Sequence, residues 1–328
     1  MTKAPQKVVL LVGGWSAERD VSLEKGKHVE AALRAEGFDL TVIDVQKDLE
    51  KFTAQIKQAN PDVVFNNLYG TGGEDGVIQS VLEMMGVPYT HSGPCASAIC
   101  MNKELTRKIA QTVGIKTAKG GVFTYGEVVR GETGVPAPYV LKPVAEGSSV
   151  SVYIVKEGDN RRFSDWSEND DVLVEEYIPG KELTVAILDG KAQAVTEIVA
   201  QTEFFDYEAK YKAQDTQYIL PAPVAEDVYK KAMAQAESLY KAIGCSGLAR
   251  CDFRFDDTKG ADGLCLLEIN NQPGLTAESI GPSQVVYNGK DFGALCRHLV
   301  ETARLHSADA NSSLSTGAEC ANPNKMTA

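Results

Sequence analysis

The first 85 residues alternate short apolar runs with amphipathic stretches, and this alternation restricts the fold more than any other feature of the chain. The run Val8–Val12 is apolar throughout and is followed by Gly13-Gly14, as expected for a strand buried on both faces. Strands that alternate with helices predict parallel βαβ units, whose ligand sites lie beyond the carboxyl ends of the strands. Gly70–Gly76 follows another predicted strand, so we expect a binding site near both glycine segments.

From Pro94 the pattern changes to short helices followed by a longer series of strands. The turn Ile178–Lys181 contains Pro and Gly and marks a boundary within this part. Helices are predicted over 16–36, 75–85, 94–101, 103–113, 227–243 and 292–305, and strands over 7–12, 40–45, 62–66, 139–142, 152–155, 172–177, 183–188, 192–200, 248–255 and 264–270. The segment 307–328 has only Leu314 and Met326 as large apolar residues, so we expect it to be disordered.

The formal net charge is −12, from 33 Lys and Arg against 45 Asp and Glu. This excess of acid argues against a general binder of nucleic acids or anionic membranes, but not against a local basic pocket. No apolar run approaches the roughly 20 residues of a membrane span, and the first residues lack a stretch of signal-peptide length. The seven cysteines form no CxxC pair, which indicates reduced core thiols. We therefore expect a soluble cytoplasmic protein of two or three domains.

Two strands near the C-terminus carry polar residues at alternate positions. Side chains alternate between the faces of a strand, so Arg250, Asp252 and Arg254 share one face. Glu268 and Asn270 likewise share one face of the next strand. If the strands pair as a hairpin, two carboxylates, an amide oxygen and an arginine converge, and such hard oxygen ligands suit Mg²⁺. The alternative is a solvent-facing polar strip with Arg–Asp pairing, which is the commoner outcome for alternating charges.

Three further segments remain open to two interpretations each. Lys142 ends an apolar strand and precedes Gly147-Ser148-Ser149, which could hold phosphate oxygens or form a simple turn. Gly274 could present its N–H to an oxyanion or serve only in a turn. Glu175 and Glu182 could bind a nucleoside or merely keep an edge strand soluble. The chain has no Walker A segment and no complete GxGxxG, so neither a P-loop enzyme nor a Rossmann dinucleotide binder is supported.

In their order along the chain, these segments make residues 7–306 resemble the D-alanine–D-alanine ligase family of the ATP-grasp superfamily. The matching segments are Gly13–Ser22, Gly70–Gly76, Lys142 with Glu146–Val150, Tyr207–Tyr211, Arg250–Asp252, and Glu268–Asn270 with Pro273-Gly274. Each segment is weak alone, whereas the whole set in family order is highly specific.

The resemblance implies an α/β (α+β) ATP-grasp fold with three domains. A parallel-sheet domain over 1–93 would face the dipeptide site, and ATP would lie between the sheets of a central subdomain over 94–180 and a C-terminal subdomain over 181–306. The resemblance further implies D-alanine and ATP as substrates and two Mg²⁺ ions, with Mn²⁺ as a substitute. It also implies a place in peptidoglycan precursor synthesis and the homodimer common in the family.

The resemblance assigns a role to each matching position of this sequence. The metal ligands would be Asp252, Glu268 and Asn270, and ATP would contact Lys103, Lys142, Lys210, Glu175, Ile178 and Glu182. Glu18 would hold the ammonium of the first D-alanine in a network completed by Ser148 and Tyr211. The tetrahedral intermediate would be held by Arg250 and the Gly274 N–H, and the carboxylate of the second D-alanine by Ser279 and Ile280.

The implied mechanism activates a carboxylate, which is a poor acyl donor, as an acylphosphate made from ATP. The amine of the second D-alanine then displaces phosphate. Because water would hydrolyse the acylphosphate, we expect a closing loop, and Glu203–Gln217 is the candidate.

Several positions depart from the family pattern; Tyr69 lies at the first-substrate end, and two others leave the acceptor open. Tyr69 stands where the family commonly has His, and Glu278 and Gly281 adjoin the second-substrate pocket. Tyr211 favours D-alanine over D-lactate, but a ligase with a D-lactate or D-serine acceptor remains an alternative. A non-catalytic nucleotide-binding module is a further alternative, against which the complete set of charged site residues argues.

Overall fold

A parallel sheet of three strands forms the first part of the chain. The computed structural model describes residues 5–147, 151–199 and 216–307. Its first elements are β1 (Lys7–Gly13), α1 (Arg19–Ala35), β2 (Asp39–Val45), α2 (Leu49–Ala59), β3 (Val63–Asn66) and α3 (Val77–Met85). The strand order is β2-β1-β3, and β1 pairs in parallel with both neighbours. The alternating pattern therefore predicted this sheet, including the glycine segments at its carboxyl edge.

Three helices and an antiparallel sheet of four strands follow. The elements are α4 (Pro94–Met101), α5 (Lys103–Thr112), β4 (Gly120–Thr124), α6 (Tyr125–Arg130), β5 (Tyr139–Pro143), β6 (Tyr153–Val155) and β7 (Asp171–Glu176), and the sheet order is β4-β7-β5-β6. The sequence prediction missed β4 and α6. A signal for α6 was present, because Thr124 and Glu127 form a capping box at its start.

A second antiparallel sheet, with five strands among the described residues, comes next and is followed by two helices. Its elements are β8 (Lys181–Leu188), β9 (Lys191–Val199), β10 (Gln217–Ile219), α7 (Glu226–Ile243), β11 (Leu248–Phe255) and β12 (Leu264–Asn270), and the order is β10-β9-β8-β11-β12. A 3₁₀ segment, Asp257–Gly263, joins β11 to β12. The last helices are α8 (Ile280–Tyr287), which the sequence prediction missed, and α9 (Phe292–Glu301), which ends four residues before its predicted end at 305.

The hydrophobic cores do not follow the order of the chain. Ala96 and Cys100 of α4 and Ala110 of α5 pack into the core between the five-stranded sheet and α7. Leu295 of α9 packs with Leu10 of β1 in another core, so the last helix covers the first sheet. The boundaries predicted at 93/94 and 180/181 fall between the sheets, and the division into three domains stays a prediction.

The cysteines and the chain end differ in part from expectation. Five cysteines are buried (Cys100, Cys245, Cys251, Cys265 and Cys296), whereas Cys95 is exposed and is not a core thiol. Cys320 lies outside the described residues. Ser307, predicted to begin the disordered tail, donates from its backbone N–H to Glu83 on α3 at 3.2 Å. Within the described chain, no helix is long and apolar enough to cross a membrane.

Candidate active site

A cleft lies between the two antiparallel sheets. Residues from both sheets and from α5 line it, and among them are Lys103, Lys142, Glu175, Ile178, Glu182, Asp252 and Glu268. The structure thus brings together residues predicted separately to bind ATP and to bind metal.

Lys142 is held in the cleft wall by a buried carboxylate. Its Nζ lies 2.5 Å from Glu175 Oε2, and Arg107 Nε of α5 lies 2.8 Å from the other oxygen of the same group. Arg107 also donates to the Ala118 carbonyl at 2.7 Å. Both oxygens of Glu175 are therefore engaged by cations. This arrangement holds the two positive groups in place, since an unpaired charge at such a depth would be costly.

Lys103 joins α5 to the same cleft. Its Nζ donates to the Glu146 carbonyl at 2.5 Å and lies 3.5 Å from Glu268 Oε2 on β12. The preceding Asn102 caps the helix, because its side chain accepts a hydrogen bond from the Leu105 N–H at 3.0 Å. Asn102 thus forms the cap that positions Lys103.

The turn at 178–180 is held by an arginine that the sequence analysis grouped with the metal face. Arg254 donates to the carbonyls of Ile178 at 3.1 Å and Gly180 at 2.8 Å. Its Nη1 also lies 3.7 Å from Glu182. Arg254 therefore points toward the nucleotide end of the cleft and fixes the connection between the two sheets.

The predicted hairpin is present with the polar residues in register. β11 and β12 are antiparallel, with Arg250 opposite Asn270 and Asp252 opposite Glu268, and the register shifts just after Asp252. Asp252 is 4% exposed. Arg250 donates hydrogen bonds to both oxygens of the Asp252 carboxylate, from Nε at 2.8 Å and from Nη2 at 2.7 Å. Thr184 Oγ1 donates to the same carboxylate at 2.6 Å and Asn270 Nδ2 at 3.3 Å.

The oxygen-rich end of this hairpin fits a hard cation shared with a phosphate ligand. Among the described residues, no group of three His, Cys, Asp or Glu side chains forms a metal cluster. Mg²⁺, however, commonly takes only one or two carboxylates from the protein and completes its shell with phosphates and waters. Asp252 and Glu268, with the amide oxygen of Asn270, match that donor set. In the structure, Arg250 and Lys103 provide the positive charge beside these carboxylates.

A second group of charges lies at the carboxyl edge of the parallel sheet. Glu18, the N-cap residue of α1, is 8% exposed. Cβ atoms added at Gly70 and Gly147 would lie 3.3 and 2.8 Å from its Oε1, so the backbone at each of these two glycines lies close to the Glu18 carboxylate. Glu74 accepts a hydrogen bond from the Gly70 N–H at 2.7 Å. Burial raises the pKa of Glu74 well above its usual value, and the nearby Glu18 adds to the effect.

Tyr69, which stands in place of the family's usual histidine, connects the first sheet to the turn after β12. Its hydroxyl donates to Asn67 Oδ1 at 3.0 Å and accepts from the Leu275 N–H at 3.1 Å. Three residues earlier, at the end of β3, Asn66 donates to Gln272 Oε1 at 2.9 Å. These bonds place Gly274 beside the first-substrate end predicted around Glu18.

Ser279 and Ile280 lie at the N-terminus of α8. The Ser279 hydroxyl lies 2.8 Å from Thr276 Oγ1, and the Thr276 N–H also donates to it at 3.2 Å. Ile280 is the first residue of the helix. The exposed backbone N–H groups of a helix N-terminus suit a carboxylate, which agrees with the role predicted for these two residues. Glu278 is exposed, and Gly281 packs near Leu248 and Pro273.

The structure leaves part of the predicted site untested and adds residues that the sequence analysis missed. Ser148, Lys210 and Tyr211 lie outside the described residues, as does the predicted closing loop except for its end at 216–217. The added residues are Lys25, Glu74, Arg107 and Gln272, whereas Arg254, which strand alternation had grouped with the metal face, contacts the turn at 178–180. Glu74 lies within a glycine segment already singled out, which was a usable signal. The others act through contacts that no local pattern indicates.

Comparison with known proteins gives one consistent family. The family models for the D-alanine–D-alanine ligase N-terminus and C-terminus match residues 46–92 and 111–301. The D-alanine–D-alanine ligase of Granulibacter bethesdensis is 47% identical over 302 residues, covering 91% of this chain and 98% of that protein. The corresponding ligase of Dinoroseobacter shibae is 45% identical over 304 residues, covering 92% of this chain and 97% of that protein.

Solved structures of the same kind superpose on the fold. The crystal structure of D-alanine–D-alanine ligase from Bacillus anthracis complexed with ATP has a TM-score of 0.76 and 28% identity, and the match covers 95% of this chain and all of that one. The VanG D-Ala:D-Ser ligase from Enterococcus faecalis has a TM-score of 0.73 and 26% identity, over 91% of this chain and 99% of that one. Together with the cleft and the charged residues around it, these matches show that the chain belongs to the D-alanine–D-alanine ligase family and has the ATP-grasp fold.

Proposed function

We propose that the chain joins two D-alanines to D-alanyl-D-alanine at the expense of ATP, through an acylphosphate. The observation that carries the proposal is the convergence of two sites. The first is the cleft with Lys103, Lys142 and the Asp252–Glu268 pair. The second is the group of charges around Glu18, which the segment after β5 approaches, because a Cβ atom added at Gly147 would lie 2.8 Å from Glu18 Oε1.

In the first step, a carboxylate oxygen of the first D-alanine attacks the γ-phosphorus of ATP. The bond from that phosphorus to the bridging oxygen breaks, and ADP leaves. Lys142 and Lys103 line the cleft where they can neutralise the transferring phosphoryl group. Glu175 and Arg107 hold Lys142 in place, while Ile178 and Glu182 contribute to the adenosine end.

In the second step, the neutral amine of the second D-alanine attacks the acyl carbon, phosphate leaves, and the amine loses a proton. Charge develops on the acyl oxygen as the tetrahedral intermediate forms. Arg250 and the Gly274 N–H are the groups that would stabilise it. Ser279 and Ile280 would bind the carboxylate of the incoming molecule, which orients its amine.

Mg²⁺ would be held by Asp252, Glu268 and Asn270. When bound, it supplies Lewis-acid charge to the phosphate oxygens. Arg250 donates to both oxygens of Asp252 through Nε and Nη2, which uses two of the five N–H groups of its guanidinium.

The proposal also includes the predicted residues that lie outside the described chain. Ser148 and Tyr211 would complete the network around Glu18, and Lys210 would contact phosphate. The segment 203–217 would exclude water from the acylphosphate. The cytoplasm as the place of reaction, peptidoglycan precursors as its destination and a homodimer as the assembly rest on the family resemblance alone.

D-Serine is the second acceptor that an observation favours, because a D-Ala:D-Ser ligase superposes well on the fold. Glu278 and Gly281 adjoin the pocket that would select the acceptor. The curated relatives at 47% and 45% identity are D-alanine–D-alanine ligases, so D-alanine is the preferred acceptor in our proposal.

The test is ADP release by the purified chain with ATP and Mg²⁺ and a panel of D-amino acids, L-amino acids and D-lactate. We expect release that depends on D-alanine, with D-alanyl-D-alanine as the product. Because an amine must be deprotonated before it attacks and a hydroxyl need not be, competition between D-alanine and D-lactate over a pH series separates the two acceptors. Turnover with another acid–amine pair, but none with D-alanine, would overturn the substrate assignment.

A further inference from the structure

Lys25 reaches the reacting end of the site from α1. It follows Glu18 by seven residues, which is close to two helical turns, so the two side chains emerge on the same side of α1. Long helical side chains point back toward the N-terminus, and Lys25 therefore extends toward Glu18. Its Nζ lies 5.4 Å from the centre of the Tyr69 ring.

The ammonium of Lys25 also lies against Gly274. A Cβ atom added at Gly274 would lie 2.2 Å from Lys25 Nζ, so the ammonium occupies the space of the missing side chain. Because residue 274 is a glycine, the Lys25 ammonium can lie beside the Gly274 N–H, which is the group that would face the acyl oxygen.

Lys25 is surrounded by both positive and negative side chains, which is the environment that would bind an amino acid with its ammonium and its carboxylate. Burial lowers the pKa of Lys25, and the positive charge of Arg250 lowers it further. The carboxylates of Glu18, Glu74 and Glu24 act in the opposite direction. Anionic and cationic groups therefore lie close together around one small space, between α1, the Gly70–Gly76 segment and the turn after β12.

We propose that Lys25 is a substrate-binding residue whose ammonium binds the carboxylate of the first amino acid beside Gly274. The inference rests on the proposed function and deepens it by naming a second charged contact to the same substrate. Glu18 would hold the ammonium of that substrate, and its carboxylate needs a cation before it is phosphorylated. Lys25 provides such a cation directly at Gly274.

The test separates a contact to the carboxylate from a merely structural role. The full-length chain with ADP bound is titrated calorimetrically with D-alanine and with D-alaninol, which keeps the amine but has a hydroxymethyl group in place of the carboxylate. The titrations are repeated on Lys25→Met, on Lys25→Arg, and on Lys27→Met, which removes an exposed lysine from the same helix as a matched control.

We expect the wild type and Lys27→Met to prefer D-alanine to D-alaninol. In Lys25→Met this preference should fall by roughly 10- to 100-fold, as expected for loss of a charged hydrogen bond, and Lys25→Arg should restore part of it. An unchanged preference in Lys25→Met, or an equal loss for both ligands, would overturn the inference. If the wild type neither binds D-alanine nor releases ADP with it, the proposed function itself has failed.

Discussion

At the scale of single residues, His91 is a buried group that carries an energetic penalty. It is 3% exposed and adopts a φ of 70°, a backbone conformation that is uncommon for residues other than Gly, although Asn, Asp and His take it more often than the rest. Neither ring nitrogen makes a hydrogen bond of good geometry to the part of the chain that the structure describes. Burial lowers the pKa of His91 to about 4, although the Leu248 backbone offsets this in part.

The lowered pKa predicts a loss of stability in acid. Below the ordinary histidine pKa of 6.5, the unfolded chain takes up a proton that the folded chain refuses until about pH 4. The contribution of His91 to stability is therefore complete above pH 6.5 and is lost as the pH falls toward 4. When the pH is lowered from 7.5 to 4.5, the free energy of unfolding should fall in both proteins. The fall should be smaller in His91→Asn than in the wild type, by roughly 2 to 3 kcal/mol.

Urea unfolding at the two pH values measures this difference. His28→Asn, a change at an exposed histidine on α1, is the matched control and should behave as the wild type does. Parallel pH dependence of His91→Asn and the wild type would show that His91 does not titrate as described.

Single residues also show where sequence reasoning reaches its limit. Asp252 and Glu268 were found because strand alternation is a local rule, and the hairpin brings them together. Lys25 was not found, because its importance depends on Gly274, a residue distant in sequence that only the folded chain brings beside it. Side chains with a long reach are the hardest to assign from a pattern.

At the scale of elements, the β11–β12 hairpin carries the metal assignment. Asp252→Asn keeps the shape of the side chain but removes the charge that a Mg²⁺ ligand needs. We expect ADP release to fall at least ~100-fold at a fixed Mg²⁺ concentration, with a higher Mg²⁺ concentration needed for half-maximal rate. The measurement is ADP release as a function of Mg²⁺ concentration.

Asp257→Asn in the adjoining 3₁₀ segment is the control, because Asp257 is exposed and follows the same strand. Thermal unfolding of both variants would show whether Asp252→Asn remains folded, since Asp252 also pairs with Arg250 and Thr184. Undiminished activity and an unchanged Mg²⁺ requirement in folded Asp252→Asn would contradict the metal assignment.

The long periodic helix α7 was predicted, whereas α2, β4, α6, β10 and α8 were missed. The face of α7 carrying Val228, Ala232 and Leu239 is buried as its spacing predicts. β4 begins with two glycines, which disfavour a strand, and is stabilised by pairing with β7. α8 has Gly281 and Pro282 in its first turn. Pro is tolerated there, but in a sequence without structural context Gly-Pro predicts a turn and not a helix.

At the scale of the whole molecule, bonds between distant parts of the chain assemble the site. Asn66 and Gln272, 206 residues apart, are joined side chain to side chain, and Tyr69 and Leu275 are likewise 206 residues apart. Such contacts follow from tertiary packing and not from any local preference. The resemblance to a family supplied this arrangement in outline, whereas periodicity alone gave only its separate sheets.

The acidic character behind the net charge of −12 extends into the cleft. The charged residues that line it include three cations, Lys103, Lys142 and Arg254, and six carboxylates, Glu146, Glu175, Glu176, Glu182, Asp252 and Glu268. Lys103, Lys142, Arg107 and Arg250 lie in or beside the cleft, and each pairs with a carboxylate. A phosphate ligand would therefore need bound Mg²⁺ to offset the remaining carboxylates.

The central claim is that ATP activates the first carboxylate as an acylphosphate, and transfer of an isotope label tests it most directly. D-Alanine labelled with ¹⁸O in both carboxylate oxygens is turned over with unlabelled ATP, and the released phosphate is analysed by mass spectrometry. Our account predicts one ¹⁸O atom in each phosphate derived from a labelled first substrate, and ADP as the nucleotide product. Unlabelled phosphate, or AMP with pyrophosphate, would contradict it.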